Sequence, residues 1–151
     1  MGITVDQNLT FRNHVENIVS RASIRSNLIL RCFVSGERRL LLKAFTVYVR
    51  PILEFDSCVW SPHFHQDIER LESVQRRFTK RLSGLKDYDY LTRLQKLDLE
   101  TLELRRLKAD LILTYKILFG LVHLNPNDFF RSRLPALSLY FEFQCSITVF
   151  L

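Results

Sequence analysis

Apolar residues recur along most of this chain at steps of three and four, the spacing that gathers side chains on one face of an α-helix. The first stripe is Phe11, Val15, Ile18, Ala22, Ile29 and Cys32, with Arg12, Arg21 and Arg25 off it. It predicts a helix that Thr10 can cap. Val34-Ser35-Gly36 breaks the pattern. Ser35 is placed to cap a second helix over 37–49, with Glu37 in its first turn, where the helix dipole favours an anion. Leu40, Leu41, Ala44, Phe45, Val47 and Tyr48 cover several sides of that helix, so it is expected to be central. Pro51 has no backbone donor and should kink or stop it. The apolar segment 52–60 can resume the helix as far as Ser61-Pro62.

A third helix is expected over 66–82. Ile68, Leu71, Val74, Phe78 and Leu82 share one face, and Arg70, Arg76, Arg77, Lys80 and Arg81 lie on the other. Gly84 suits the left-handed position that closes such a helix. A short helix with Leu91, Leu94 and Leu97 follows. Thr101 can then cap a fifth, whose stripe is Leu104, Leu107, Leu111, Tyr115 and Leu118 and which Gly120 ends. At the front, residues 2–5 are a β-prone scrap before a turn at Asp6-Gln7-Asn8. Beyond Pro126 the helical period is lost, and 134–151 is apolar and β-prone. Alternation at Leu139, Phe141 and Phe143 would make this stretch an aggregation-prone edge. The predicted fold is mostly α: about five helices in a small irregular bundle, a short N-terminal β scrap and a poorly defined C-terminal tail. Residues 1–130 form the helical region and 131–151 a divergent apolar tail that need not fold.

Composition agrees with a helical reading. The chain has 151 residues, 47% hydrophobic and 25% charged, with only 4 glycines and 4 prolines. That is too few turn formers for a β-sandwich or barrel and too much apolar material for a disordered chain. Lys+Arg 22 against Asp+Glu 16 leaves a net charge of +6, which favours polyanionic partners. Cys32, Cys58 and Cys145 are far apart and odd in number, a pattern expected of buried, reduced, intracellular thiols. The N-terminus lacks the pattern of a signal peptide, and no run of ~20 apolar residues is present, so no membrane span is expected. The expected location is the cytoplasm or nucleus.

The chemistry-bearing patterns are few. The sequence contains no Gly-rich phosphate loop, no Gly-x-Ser-x-Gly elbow and no His-Glu-x-x-His pair. His63 and His65 beside Asp67 are read as a solvated loop rather than a metal site, because no cysteine pair completes a ligand set. Asp87-Tyr88-Asp89 reads as a loop before a helix rather than a pair of metal-binding carboxylates. No catalytic residue, metal ligand or cofactor is expected in this chain.

One stretch is more specific than composition. Val49-Arg50-Pro51-Ile52-Leu53-Glu54-Phe55, then Cys58-Val59-Trp60-Ser61-Pro62, resembles a signature of non-LTR retrotransposon (LINE-type, jockey-like) reverse transcriptases that lies after their catalytic palm. Ile68-Glu69-x-Leu71-Glu72-x-Val74-Gln75-Arg76-Arg77-Phe78-Thr79-Lys80 resembles the helix that follows in that family. Further blocks continue the resemblance. They begin at Gly2-Ile3, Leu9-x-Phe11, Arg93-Leu94, Asp110-Leu111-Ile112 and Asn127-Asp128-Phe129-Phe130, so together they span about residues 2–130. The family's fingers and its palm, with the metal-binding carboxylates, have no counterpart here, and Arg131–Leu151 departs from its usual polar ending. A truncated or frame-disrupted copy is the simplest account.

The resemblance implies a thumb-like region of an RNA-directed DNA polymerase that holds an RNA or DNA template–primer duplex. The missing fingers and palm would be its partners, and the parent enzyme would need Mg. Holding a duplex of any sequence calls for phosphate contacts rather than base contacts. Arg70, Arg77 and Arg81, with Arg76 and Lys80 beside them, are the candidate cations, and Arg50 is a sixth. If about five of them meet phosphates, log affinity should fall with log salt at a slope near −4 to −5. The other reading of this face is a solvated helix surface diluted by Asp67, Glu69 and Glu72. Arg50 could instead bond carbonyls freed at the Pro51 kink, and Arg105-Arg106 reads as a charged helix edge. Trp60, Phe55, Tyr48 and Tyr115 are expected in the core. The alternative functions are a small helical protein-interaction module, using Leu91, Leu94 and Leu97 or the tail, and a translated remnant without activity.

Overall fold

The computed structural model describes residues 2–33 and 36–130. Among them the chain forms eight helices and no strand: α1 Arg12–Cys32, α2 Arg38–Tyr48, α3 Arg50–Glu54, α4 Ser57–Trp60, α5 His65–Lys80, α6 Tyr90–Leu97, α7 Leu102–Leu118 and α8 Pro126–Phe129. The fold is mostly α. Each of the five anticipated spans is helical, but 37–60 is three short helices. Val49 is at once the last cap of α2 and the first of α3, and Pro51 falls in the first turn of α3, where its missing donor costs nothing. Asp56 then takes a left-handed backbone, φ 49°, between α3 and α4. The β-prone residues 2–5 pair with no strand among the described residues. Instead Ile3 packs on the core and the Thr4 amide donates to His14 Nδ1 at 3.2 Å.

The caps show which local rules decide. Asp89 accepts from the Thr92 amide at the start of α6, and Thr101 accepts from the Leu104 amide at the start of α7. Thr10 does not cap α1. Its amide and hydroxyl donate to the Asp6 carboxylate at 2.8 and 2.5 Å, closing the turn before the helix, and Phe11 occupies the cap position with φ 53°. Glu37 takes the cap position of α2 without a side-chain bond, and Ser35 lies outside the described residues. Gly84 adopts φ +74°, the left-handed backbone anticipated after α5, and Gly120, expected to end α7, takes φ +65°.

The described residues separate into two units that divide after Leu111. In the first, α1 packs chiefly on α5, with α2 and α3 against α1 and α6 against α5. Its core holds Val15, Ile18, Phe45, Leu53, Trp60, Leu71, Val74, Phe78, Leu82, Leu85 and Leu102. The Phe45 and Phe78 rings stack at 4.4 Å. In the second, Asn125 caps α8 and the Tyr115 and Phe119 rings stand 4.4 Å apart. Residues 131–151, including the β-prone tail and Cys145, lie outside the described residues.

Several burial expectations are overturned. The stripe expected to bury α7 faces outward: Leu104, Leu107 and Leu111 are 41%, 54% and 60% exposed, whereas Leu102 and Arg106 are buried. On α2, Leu41, Ala44 and Phe45 are buried but Val47 and Tyr48 are exposed, so this helix has one inner face and is not central. Phe55 and Tyr115 are likewise exposed. Cys32 and Cys58 are exposed rather than buried thiols. No helix among the described residues is long and apolar enough to cross a membrane.

Candidate nucleic-acid interface

The site follows from the register of α1 against α5. Arg70 meets Glu16, Arg77 meets Ser23 and Arg81 meets Asn27, and each pair is separated by 54 residues. A constant offset requires the two helices to run parallel, because antiparallel helices would keep a constant sum instead. Contacts at steps of seven and four keep one seam of α5 along one seam of α1. Beneath that seam lie Val15, Ile18 and Ala22 from α1 and Leu71, Val74 and Phe78 from α5, all buried. The apolar face therefore fixes where the cations stand.

The six predicted cations divide into two sets. Arg70 donates to Glu16 at 2.8 Å and to Asp67 at 3.4 Å. Arg76 grips Glu69 with two nitrogens, at 2.9 and 3.3 Å, and lies over the Tyr90 ring at 5.1 Å. That hydrogen-bonded pair holds the Glu69 carboxyl below its ordinary range and the Arg76 guanidinium above its own. Arg50 faces Glu54 at 3.8 Å, and Glu54 also accepts two bonds from Arg105 at 2.5 and 3.0 Å. Arg50 therefore answers a carboxylate rather than the carbonyls of a kink. These three cations are neutralised within the chain.

Arg77, Lys80 and Arg81 form the other set. Arg77 donates to the Ser73 carbonyl at 3.2 Å, the Ser73 hydroxyl at 3.3 Å and the Ser23 hydroxyl at 3.4 Å. Arg81 donates to Asn27 Oδ1 at 2.6 Å. Neither has a carboxylate partner among the described residues, and neither does Lys80. Neutral hydroxyl and amide partners hold the two guanidinium groups without cancelling their charge. All three exposed side chains line a groove of about 220 Å³ between α1 and α5. Part of their effect is local, since cations in the last turn of a helix offset its negative end by about 0.3–1 kcal/mol each.

The remaining residues of the signature helix build structure. Glu72 is buried, accepts from the Tyr90 hydroxyl and caps the first amide of α7, Leu102 N, at 3.0 Å. Burial, with this carboxylate beside it, pushes the Tyr90 phenol well up. Gln75 donates to Tyr90 and to the Glu100 carbonyl at 3.1 and 2.9 Å. Arg93 is a buried clamp that sequence reasoning missed: it donates to Thr79 Oγ1 at 3.2 Å, the Tyr88 carbonyl at 2.6 Å and the Arg76 carbonyl at 3.3 Å. Its neighbours in sequence, Thr92 and Leu94, gave no sign of this, because the partners come from α5 and the preceding loop. Arg105 lies in the Glu54 pair, and Arg106 is buried rather than on a charged edge, so desolvation pushes its guanidinium down. Trp60 is buried, with Nε1 donating to the Phe55 carbonyl at 2.7 Å. Phe55 contributes that carbonyl while its ring stays exposed.

Asp67 is buried against Arg70 and Arg12, and among the described residues no group of three or more His, Cys, Asp or Glu is placed to hold a metal ion. Over 126 residues the chain is 27% identical to an uncharacterized protein of Caenorhabditis elegans. The match covers 82% of this chain and 64% of the relative, so the chain spans a little under two thirds of that protein's length. No protein-family model matches the chain, and no solved structure does.

Proposed function

We propose that this chain is a thumb-like, nucleic-acid-holding region of an RNA-directed DNA polymerase of the non-LTR retrotransposon type, contributing backbone contacts and no catalytic group. One observation carries the reading. Arg77, Lys80 and Arg81 keep their charge unpaired by carboxylates, side by side at the end of α5, while the other three candidate cations are spent on internal pairs. Such cations answer phosphate whatever the base sequence. The order of sequence blocks resembling that family supports the polymerase part. The reading places the chain in the cytoplasm or nucleus, with a template–primer duplex and the fingers and palm as partners.

The test is binding of a labelled primer–template duplex at ~50 mM salt, a concentration at which phosphate contacts are strong. The unmodified chain should bind, and a Arg77→Ala, Lys80→Ala, Arg81→Ala variant should lose at least about tenfold in affinity. Equal binding by the two chains contradicts the reading. A second reading, a protein-interaction module, draws on the outward leucines of α7, Leu104, Leu107 and Leu111, which form an apolar stripe on the surface. It predicts indifference to nucleic acid at the same salt.

A further inference from the structure

Over residues 102–111, α7 has two unlike sides. Leu102, Arg105, Arg106 and Ala109 are buried or half-buried, whereas Glu103, Leu104, Leu107, Lys108 and Leu111 are exposed. The three outward leucines are spaced three and then four apart. These are the a, d and a positions of a heptad, and they make a seam about 10 Å long. On the same count Glu103 is a g position and Lys108 an e position, so an acid and a base flank the seam on opposite sides. When two parallel helices pack along such seams, a g residue faces the e residue five places further along the other helix. Lys108 stands five places after Glu103. A second copy of α7 therefore supplies both complements at once, as a two-fold pairing requires: Glu103 of each chain meets Lys108 of the other. Antiparallel packing sets e against e and g against g, which offers Lys108 no acid and Glu103 no base. Glu103 has no ion-pair partner among the described residues. Lys108 pairs with Glu100 of its own chain, yet its side chain stays half exposed and open to a second carboxylate.

We propose that the outward seam of α7 pairs two copies of this chain in parallel, through Leu104, Leu107 and Leu111 and the reciprocal Glu103–Lys108 contacts. Three leucines a side fall well short of the ~800 Å² per partner of a stable interface, so the association is weak, with a dissociation constant on the order of 100 μM. At the ~1 μM of binding or unfolding measurements the chain is then a monomer. The pairing is independent of the nucleic-acid reading, because it uses neither α5 nor its cations.

The experiment is sedimentation equilibrium of the full chain from ~10 μM to ~1 mM, a range that brackets the expected constant. Salt is held at ~150 mM, where repulsion between two copies of net charge +6 is screened beyond ~8 Å. The unmodified chain should pass from monomer to dimer, and Leu107→Glu should stay monomeric throughout. Glu103→Lys leaves two bases beside the seam and Lys108→Glu two acids, so each variant alone should stay monomeric. Their equal mixture should dimerise at least about tenfold more tightly than either component. Far-UV circular dichroism should show all three variants folded as the unmodified chain is, since the substituted positions are exposed. A monomeric unmodified chain at the highest concentration overturns the pairing and leaves the stripe to a different protein. Dimers that survive Leu107→Glu, or a mixture no tighter than its components, overturn it as well. Each of these results leaves the nucleic-acid reading standing.

Discussion

At the scale of single residues, the buried polar groups of this chain tie helices together. Glu72 is the clearest case, because one carboxylate receives the Tyr90 hydroxyl and the first amide of α7. Glu72→Ala leaves both donors buried without an acceptor and should cost about 3 kcal/mol in urea unfolding, with Glu72→Gln, which retains one acceptor oxygen, costing less. A loss below about 0.5 kcal/mol would contradict that assignment. His14 gives a pH dependence. It is buried, its Nδ1 accepts from Thr4, and its ring meets Trp60 edge-on at 5.2 Å. Burial, and then the Arg21 charge, hold its pKa below the ordinary 6.5. The neutral ring is therefore the folded form, and the unfolded chain binds the proton more readily. Stability should be full above about pH 6.5 and fall as the pH drops from there through the folded value. Trp60 fluorescence should report loosening of residues 2–5 over that window, and the effect should vanish in His14→Gln. A stability profile flat from pH 7 to 5 would contradict it.

At the scale of elements, periodicity located the helices well and their inner faces unevenly. In α5, Leu71, Val74 and Phe78 are buried as their spacing foretold, because one strong stripe faced one neighbour. In α7 the leucine stripe was equally regular, yet it faces outward. The inner side of that helix is set by the Glu72 cap on Leu102 and by the Glu54–Arg105 pair, both long-range contacts that no local window displays. The same limit applies to the site. The basic face of α5 could be read from spacing, and the Arg76 partner Glu69 lies on the same helix, but the partners Glu16, Ser23 and Asn27 of Arg70, Arg77 and Arg81 could not be read, since they belong to a helix 54 residues earlier. A substitution separates the two views of α7. Leu107→Glu, at a position 54% exposed, should change stability by less than about 0.5 kcal/mol. A loss of 2 kcal/mol or more in thermal or urea unfolding would return that leucine to a core. On α5, Phe78→Ala removes a fully buried ring stacked on Phe45 and should cost about 4 kcal/mol by the same measurement.

At the scale of the whole molecule, the net charge of +6 does not by itself locate a binding surface. Of the six candidate cations, Arg50, Arg70 and Arg76 answer carboxylates of the same chain, and the other three line one groove. Counting basic residues gives a salt slope near −4 to −5, whereas three phosphate contacts give about −2.7. The slope of log affinity against log salt for a template–primer with an overhang therefore tests the central claim most directly. The account predicts about −2.7 for the unmodified chain, the same for Arg70→Gln, and a value near zero when Arg77, Lys80 and Arg81 are all alanine. A slope near zero for the unmodified chain, or one that survives loss of those three cations, would contradict it.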